Sequence, residues 1–418
     1  MIDIKKKLCS IFAYIIAGTF IYDCRSMQSI AFKLGHLPNL LLVISILGSV
    51  IVSTTIISKS NLKRIALISL LFILYMSVYA LFSVHRSVVF WLTTVILLFI
   101  WQIGLSSEQQ QVPKILISYK NLVFIIAIIS LIFWFLGSIF KIIHPSGVVM
   151  SSWGAVGNNL IAVPSYHNLY FETQTFRSGF SFLNGIQRNS AIFTEAPMAS
   201  LNFSIALLIE YLNKHTDKWH KRVIAVLILA IMSTFSTTGY TLLIMWIFCI
   251  LVHNKNFMLK NIRFIILPIL LVAIIIGIKS LLTEKTNNNF SSMSVRLDDY
   301  KVGWQAWKQH KLFGIGIQNY KYLSQYMDSW RIMNLGFSNS VTDIFSGGGI
   351  YLALLYVLCF AKGLWVGIKR KNWKETVFVG LILYLFVTTF FTYTLILLYL
   401  LVWFAMGMSS SQKYNMVK

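Results

Sequence analysis

The chain has 418 residues, of which 57% are hydrophobic and only 12% charged, with a formal net charge of +23. A soluble globular domain carries about one quarter charged residues, so this composition excludes that class and makes lipid the expected solvent. The positive excess does not mark a nucleic-acid binder, because lysines and arginines fill the gaps between apolar blocks instead of forming one free basic stripe.

The blocks approach the 17–25 residues needed to cross a bilayer core. The first, residues 8–22, follows Lys5, Lys6 and Lys7. No A-x-A-like cleavage site follows it, and Asp23 and Arg25 interrupt instead, so it reads as a retained helix. Helices are predicted next at 38–57, 65–83, 88–105 and 121–140, before a long polar stretch, 141–195. Residues 196–212 follow, with Pro197 in the first helical turn. The run 222–252 is too long for one span and divides at Ser236-Thr237-Thr238-Gly239 into helices 222–235 and 239–252. Helix 263–283 precedes a second long stretch, 284–340, and the chain ends with 341–361, 376–391 and 394–408. The expected fold is an all-α polytopic membrane protein of about 12 transmembrane helices, a single integral membrane domain over residues 1–418.

Basic clusters recur at Lys5–Lys7, at Lys59, Lys63 and Arg64, at Lys214, Lys218, Lys221 and Arg222, at Lys255, Lys260 and Arg263, and at Lys369, Arg370, Lys371 and Lys374. With these helices every cluster falls on the side of the N-terminus, so the positive-inside rule puts both termini in the cytoplasm. The two long loops are then extracytoplasmic. Ionisable groups are scarce at mid-depth: Glu195, Glu210, Lys279 and Asp343 lie near predicted helix ends. That argues against a proton- or ion-coupled transporter. The four cysteines are scattered and the histidines show no paired ligand spacing, so neither a disulfide framework nor a metal site is expected.

The polar chemistry concentrates in the loops. Arg188 and Glu195 flank the start of helix 196–212. An arginine at the outer surface can hold a lipid-linked phosphate bidentately, and a nearby carboxylate can act as a general base or orient a sugar hydroxyl. An Arg188–Glu195 ion pair fixing the loop is the competing reading. Arg177 is a second candidate, or an ordinary solvated arginine. In the second loop a helix capped by Ser294 is expected, with Arg296, Tyr300, Trp304 and Trp307 on one stripe and Asp299 able to pair with Arg296. Tyr322, Tyr326 and Trp330 form another stripe beside Arg331, after a turn at Gly314-Ile315-Gly316, and His310 has no evident partner. Such aromatic faces suit sugar rings, and equally a helix lying at the membrane interface. Gly347-Gly348-Gly349 reads as a close helix-packing element.

This order of features resembles the bacterial O-antigen and capsule polymerases (Wzy type) and the O-antigen ligases. The resemblance rests on the helix number, the two outer loops, and Arg188 before Glu195 and Pro197. It rests also on the Ser-Thr-Thr-Gly break and on the run Val295-Arg296, Trp304, Leu312-Phe313-Gly314-Ile315-Gly316, Tyr320, then Ser338-Asn339 leading to Gly349. It implies an enzyme of the bacterial cytoplasmic (inner) membrane that transfers glycan from undecaprenyl diphosphate on the outer face, without cofactor or metal. Its implied partners are undecaprenyl-diphosphate-linked oligosaccharide, membrane lipids and a chain-length regulator, and no nucleic acid.

Carried onto matching positions, the resemblance makes Arg188, Glu195 and Arg296 the catalytic candidates. Arg177, Tyr300, Trp304, Trp307, Arg331 and Asn339 are the substrate-binding ones. Two departures stand out: Ser338 occupies the place of a ligase histidine, and Gly347 that of a glutamate. The first weighs against an O-antigen ligase and leaves a polymerase as the leading expectation. A repeat-unit flippase is the third reading, disfavoured by the lack of polar residues along a central path.

Overall fold

The computed structural model describes residues 2–32, 34–54, 59–106, 112–153, 159–176, 185–213, 218–253, 290–331 and 337–408. The protein is mostly helical. In chain order the helices are α1 (Ile2–Asp23), α2 (Met27–Ala31), α3 (Leu37–Thr54), α4 (Lys59–Phe82), α5 (Val89–Leu105) and α6 (Lys114–Phe133). A π-helical turn, Trp134–Ile139, prolongs α6. Then come α7 (Ala196–Leu212), α8 (Lys218–Ser233), α9 (Thr237–His253), α10 (Phe290–Gln309) and α11 (Tyr320–Leu323). The chain finishes with α12 (Ser340–Lys369), α13 (Trp373–Thr388) and α14 (Leu395–Ala405). The expected helix 263–283 lies outside the described residues.

Three of these elements, Lys59–Phe82, Lys114–Ile139 and Ser340–Lys369, are long and apolar enough to cross a membrane by length and composition, and shorter apolar helices accompany them. Burial separates two kinds of apolar helix. In α7 every residue but Pro197 is buried, and in α14 all but Ala405 are. A helix apolar on all sides must be enclosed by protein or by lipid. These two are enclosed by their neighbours: α7 packs on α6, α8, α9 and α13, and α14 on α1, α5 and α12. By contrast α4 exposes Leu67, Leu70, Leu71, Leu74 and Leu81 along its outer face. That face fits lipid tails, and the protein is a membrane protein.

Side-chain contacts gather the basic helix ends together. Lys114 Nζ donates to the Lys6 carbonyl at 3.5 Å. Lys120 pairs with Glu210 at 2.8 Å, and His220 lies 2.7 Å from the same carboxylate. Lys374 sits over the Tyr211 ring, and Arg370 donates to the carbonyls of Gly407 and Met408. Lys120 is a correction to the expected boundary at 121: α6 begins at Lys114, behind Pro113, so the lysine lies inside the helix and is buried.

The first long stretch, expected as loop, holds a three-stranded antiparallel sheet. It comprises β1 (Gly147–Ser151), β2 (Ile161–Tyr166) and β3 (Tyr170–Phe171) in that order. In the second loop α10 starts at Phe290, so Ser294 lies within the helix and does not cap it. The glycine triplet is a break: Gly349 adopts φ 62° and ψ −164°, splitting α12 into a short N-terminal and a longer C-terminal part. The groups freed there bond to residues 311–316. Ile315 and Gly316 N–H donate to the carbonyls of Ser346 (2.8 Å) and Gly347 (2.9 Å). Ile350 and Tyr351 N–H donate to those of Lys311 and Leu312, both at 2.9 Å. A Cβ on Gly349 would stand 2.3 Å from the Leu312 oxygen, which is why glycine is required.

Candidate functional site

The polar centre lies at the opposite end of the bundle from the basic helix termini. The chain leaves α1 at Asp23, whose Oδ2 accepts the N–H of Leu395 at 2.8 Å and ties α1 to the start of α14. Arg25 then turns with φ 51°. The next residues run beside 192–194: Met27 N–H donates to the Ile192 carbonyl, Thr194 N–H to the Arg25 carbonyl, and Ser26 bridges Phe193. This pairing brings together Arg25 and Glu195, 170 positions apart, with Nη1 to Oε1 at 3.4 Å.

The Arg25 guanidinium carbon lies 4.8 Å from the Trp153 ring centroid and 4.4 Å from that of Phe390. Rings hold a guanidinium by its face and leave its in-plane N–H donors available, the geometry that suits bidentate phosphate recognition. Glu195 occupies the N-cap position of α7 and makes no side-chain cap. Gln174 Oε1 instead accepts the Ala196 N–H at 3.0 Å, which leaves the carboxylate for Arg25. Both side chains remain roughly one-fifth to one-quarter exposed, at 24% and 21%.

Behind this pair is the first turn of α12. Asn339 caps it, its Oδ1 accepting from the N–H and the hydroxyl of Thr342, both at 2.9 Å. Ser340 donates to the Thr389 carbonyl and accepts from Phe391 N–H. Asp343 is buried, within electrostatic reach of Arg25, and its Oδ2 has no hydrogen-bond partner; neither has the hydroxyl of Tyr393. Burial pushes the Tyr320 hydroxyl well above the ordinary phenol range, the Asp343 charge adds to this, and Arg25 opposes it.

The expected Arg188–Glu195 pair is replaced by two separate arrangements. Arg188 donates from Nε to the Thr234 carbonyl at 2.9 Å and from Nη2 to that of Phe235 at 3.2 Å. A cation at the C-terminal end of α8 complements the helix dipole there. The turn between α8 and α9 is residues 234–236, so Thr237, Thr238 and Gly239 open α9 instead of forming the turn.

Asp299 pairs with Arg331. Arg331 is fully buried between Asp298 at 2.9 Å and Asp299 at 2.7 Å. Burial raises the Asp299 carboxyl above its usual range, while the Ser338 and Arg331 contacts pull it back. The Tyr300 and Trp304 side chains are about half exposed on α10, at 50% and 54%. Trp307 packs against Trp304 with the rings tilted by 43° and their centroids 4.6 Å apart, and meets Phe345 of α12 edge-on at 5.8 Å. His310 does have a partner, Tyr322, at 3.1 Å. Arg177 and the side chain of Arg296 lie outside the described residues.

The structure thus assembles Arg25, Glu195, Asp343, Tyr320 and Tyr393, of which only Glu195 was singled out from sequence. Arg25 and Asp343 had one available signal each: Arg25 is a lone arginine in a short gap between apolar blocks, and Asp343 a lone acid at the start of an apolar helix. Among the described residues no group of three or more His, Cys, Asp or Glu could hold a metal ion.

Residues 223–357 match the O-antigen ligase family model, Wzy_C, a segment running from α8 into α12. The match supports the resemblance to the O-antigen ligase and Wzy-type superfamily, whose members are enzymes acting on lipid-linked glycans. No curated protein matches the chain.

Proposed function

We propose that this protein is a polysaccharide polymerase of the bacterial cytoplasmic membrane, transferring a glycan chain from undecaprenyl diphosphate to the next lipid-linked repeat unit on the outer face. The basic bundle end is then cytoplasmic and the polar centre extracytoplasmic, as the positive-inside rule requires. The observation that carries the reading is Arg25, clamped face-on by two rings at that end, with Glu195 on its edge.

In the reaction the acceptor sugar hydroxyl attacks the anomeric carbon of the donor. A carbon–oxygen bond forms, the bond to the diphosphate breaks, and the hydroxyl proton passes to a carboxylate. The leaving diphosphate gains negative charge, so preorganised guanidinium donors accelerate the step, each by roughly 10²–10³-fold. Arg25 supplies such donors, together with Arg296, while Arg188 holds the segment before Glu195 through the Thr234 and Phe235 carbonyls. Glu195 orients or deprotonates the acceptor hydroxyl. The exposed rings of Tyr300 and Trp304 offer a platform for the sugar chain.

Ser338 in the place of the ligase histidine favours the polymerase over the ligase. The test is gel analysis of surface polysaccharide from cells expressing Arg25→Ala, Arg188→Ala or Arg296→Ala at normal levels. Collapse of the ladder to single repeat units is expected. A normal ladder in all three overturns the reading, and loss of all surface polymer, with chains accumulating on the carrier, makes the protein a ligase.

A further inference from the structure

Between Lys141 and Glu172 the sequence has no Asp, Glu, Lys or Arg. About one quarter of the residues of a soluble domain are charged, so a water-facing stretch of this length would hold several. This stretch forms the antiparallel sheet. Its register puts Val148 and Met150 of β1 and Ala162 and Pro164 of β2 on one face. The opposite face packs Val149 and Val163 on Met27 of α2 and on Phe171.

A sheet with one covered face normally turns polar side chains outward. Here the uncovered face has none: Val148 is 62% and Met150 50% exposed, with Ala162 exposed beside them. The serines lie on the covered side, Ser151 accepting from the Trp153 N–H and Ser165 donating to Asn168. The pattern is the reverse of a water-facing sheet.

The depth of the sheet follows from α6. With its π-helical turn, the span Lys114–Ile139 has 26 residues, about 39 Å at 1.5 Å per residue, against a hydrocarbon core of roughly 30 Å. With Lys114 at the basic boundary, the last turns stand among the head groups of the opposite leaflet. Tyr166 and Tyr170 pack on Phe133 and Trp134 of those turns, the level at which Trp and Tyr accumulate. Phe135, Phe140 and Ile142 are exposed on the way from helix to sheet. Lys141 stands between them, exposed, where its ammonium can reach head-group phosphates.

We propose that the uncovered face of the β1–β2 hairpin rests on the membrane leaflet at the polar-centre end, its aliphatic side chains among the upper acyl chains. Among the described residues the other edge of β1 pairs with no strand. Bare backbone groups are not tolerated in hydrocarbon, so the strand backbone stays at head-group depth and only the side chains reach the tails. The want of charge favours lipid over a protein partner, whose recognition draws on a polar rim and complementary charges. Trp153 follows β1 by two residues and its ring covers Arg25 at 4.8 Å. The leaflet thereby steadies one wall of the polar centre, whatever reaction occurs there.

The test uses the full chain in nanodiscs of phosphatidylglycerol and phosphatidylcholine, with Cys9→Ser and Cys249→Ser; Cys24 and Cys359 are buried and stay. A nitroxide is attached at Val148→Cys or Met150→Cys. Leu71→Cys on the exposed face of α4 is the lipid reference, and Lys321→Cys the aqueous one. Power saturation reads collisions with oxygen, which concentrates in lipid, and with a water-soluble nickel chelate. The oxygen-to-nickel ratio at 148 and 150 is expected to match that at 71 and to exceed that at 321 several-fold. A ratio equal to that at 321 overturns the contact. Low collision rates with both reagents mean that a partner or a second copy covers the face, which also overturns it. A second variant carries Val148→Lys and Met150→Lys with the label at Ala162→Cys. Its ratio is expected to fall to the aqueous value, with the melting temperature in detergent unchanged, and a ratio that stays at the lipid value overturns the proposal.

Discussion

The two ends of the helix bundle handle charge in opposite ways. At the basic end Lys120, Glu210 and His220 close on one another within 2.8 Å, and Arg370 is spent on helix-terminal carbonyls and Glu375. At the other end Arg25 meets Glu195 at 3.4 Å and leans on two rings, and among the described residues Asp343 Oδ2 and the Tyr393 hydroxyl keep neither a hydrogen-bond nor an ion-pair partner. Ionic groups that satisfy each other hold a structure together; groups left open are poised for something else. On the proposed function, the basic end serves stability and the opposite end a ligand.

This contrast breaks most sharply at Lys120. Lys120→Met leaves Glu210 buried without its cation and is expected to cost about 3–5 kcal/mol of stability. Thermal melting of the purified protein checks it, and an unchanged melting temperature denies the basic end its structural role. Arg25→Ala is the mirror case: turnover per folded molecule falls by roughly 10²–10³-fold, about 2.7–4 kcal/mol, with melting unchanged. An in vitro polymerisation assay beside the melting curve separates the two effects.

Smaller changes sharpen the comparison. Asn339→Ala removes the α12 cap and is expected to lower stability by about 1 kcal/mol. Its activity loss should be reversed by Asn339→Asp, which keeps a capping oxygen, and assaying both variants checks this. Trp153→Ala removes one ring from Arg25, worth about 0.5–1 kcal/mol. It should appear as weaker binding of inorganic diphosphate, measured by calorimetry, with no loss of fold.

The helices were legible because apolar length and punctuation are local properties. Pro197 opens α7 as read, and α8 and α9 separate within a residue or two of the Ser-Thr-Thr-Gly signal. Lys120 escaped because a lysine next to an apolar run looks like a boundary, although Pro113 marks the true start. The sheet over 147–171 escaped because its strands are short and neither β1 nor β2 shows a regular in–out alternation. The candidate site was the least legible. Arg25 reaches Glu195 only through the backbone pairing of 25–27 with 192–194, and Arg331 is drawn to Asp298 and Asp299 across 32–33 positions. Such meetings are tertiary and leave no spacing in the sequence.

The break at Gly349 has a mechanical consequence. Four backbone hydrogen bonds sew residues 311–316 to 346–351. At membrane depth no water stands ready to replace them, so parting them costs several kcal/mol for each group left bare. The segment after α10 and the helical stub carrying Asp343 are therefore tied into one unit, so that a displacement of one carries the other.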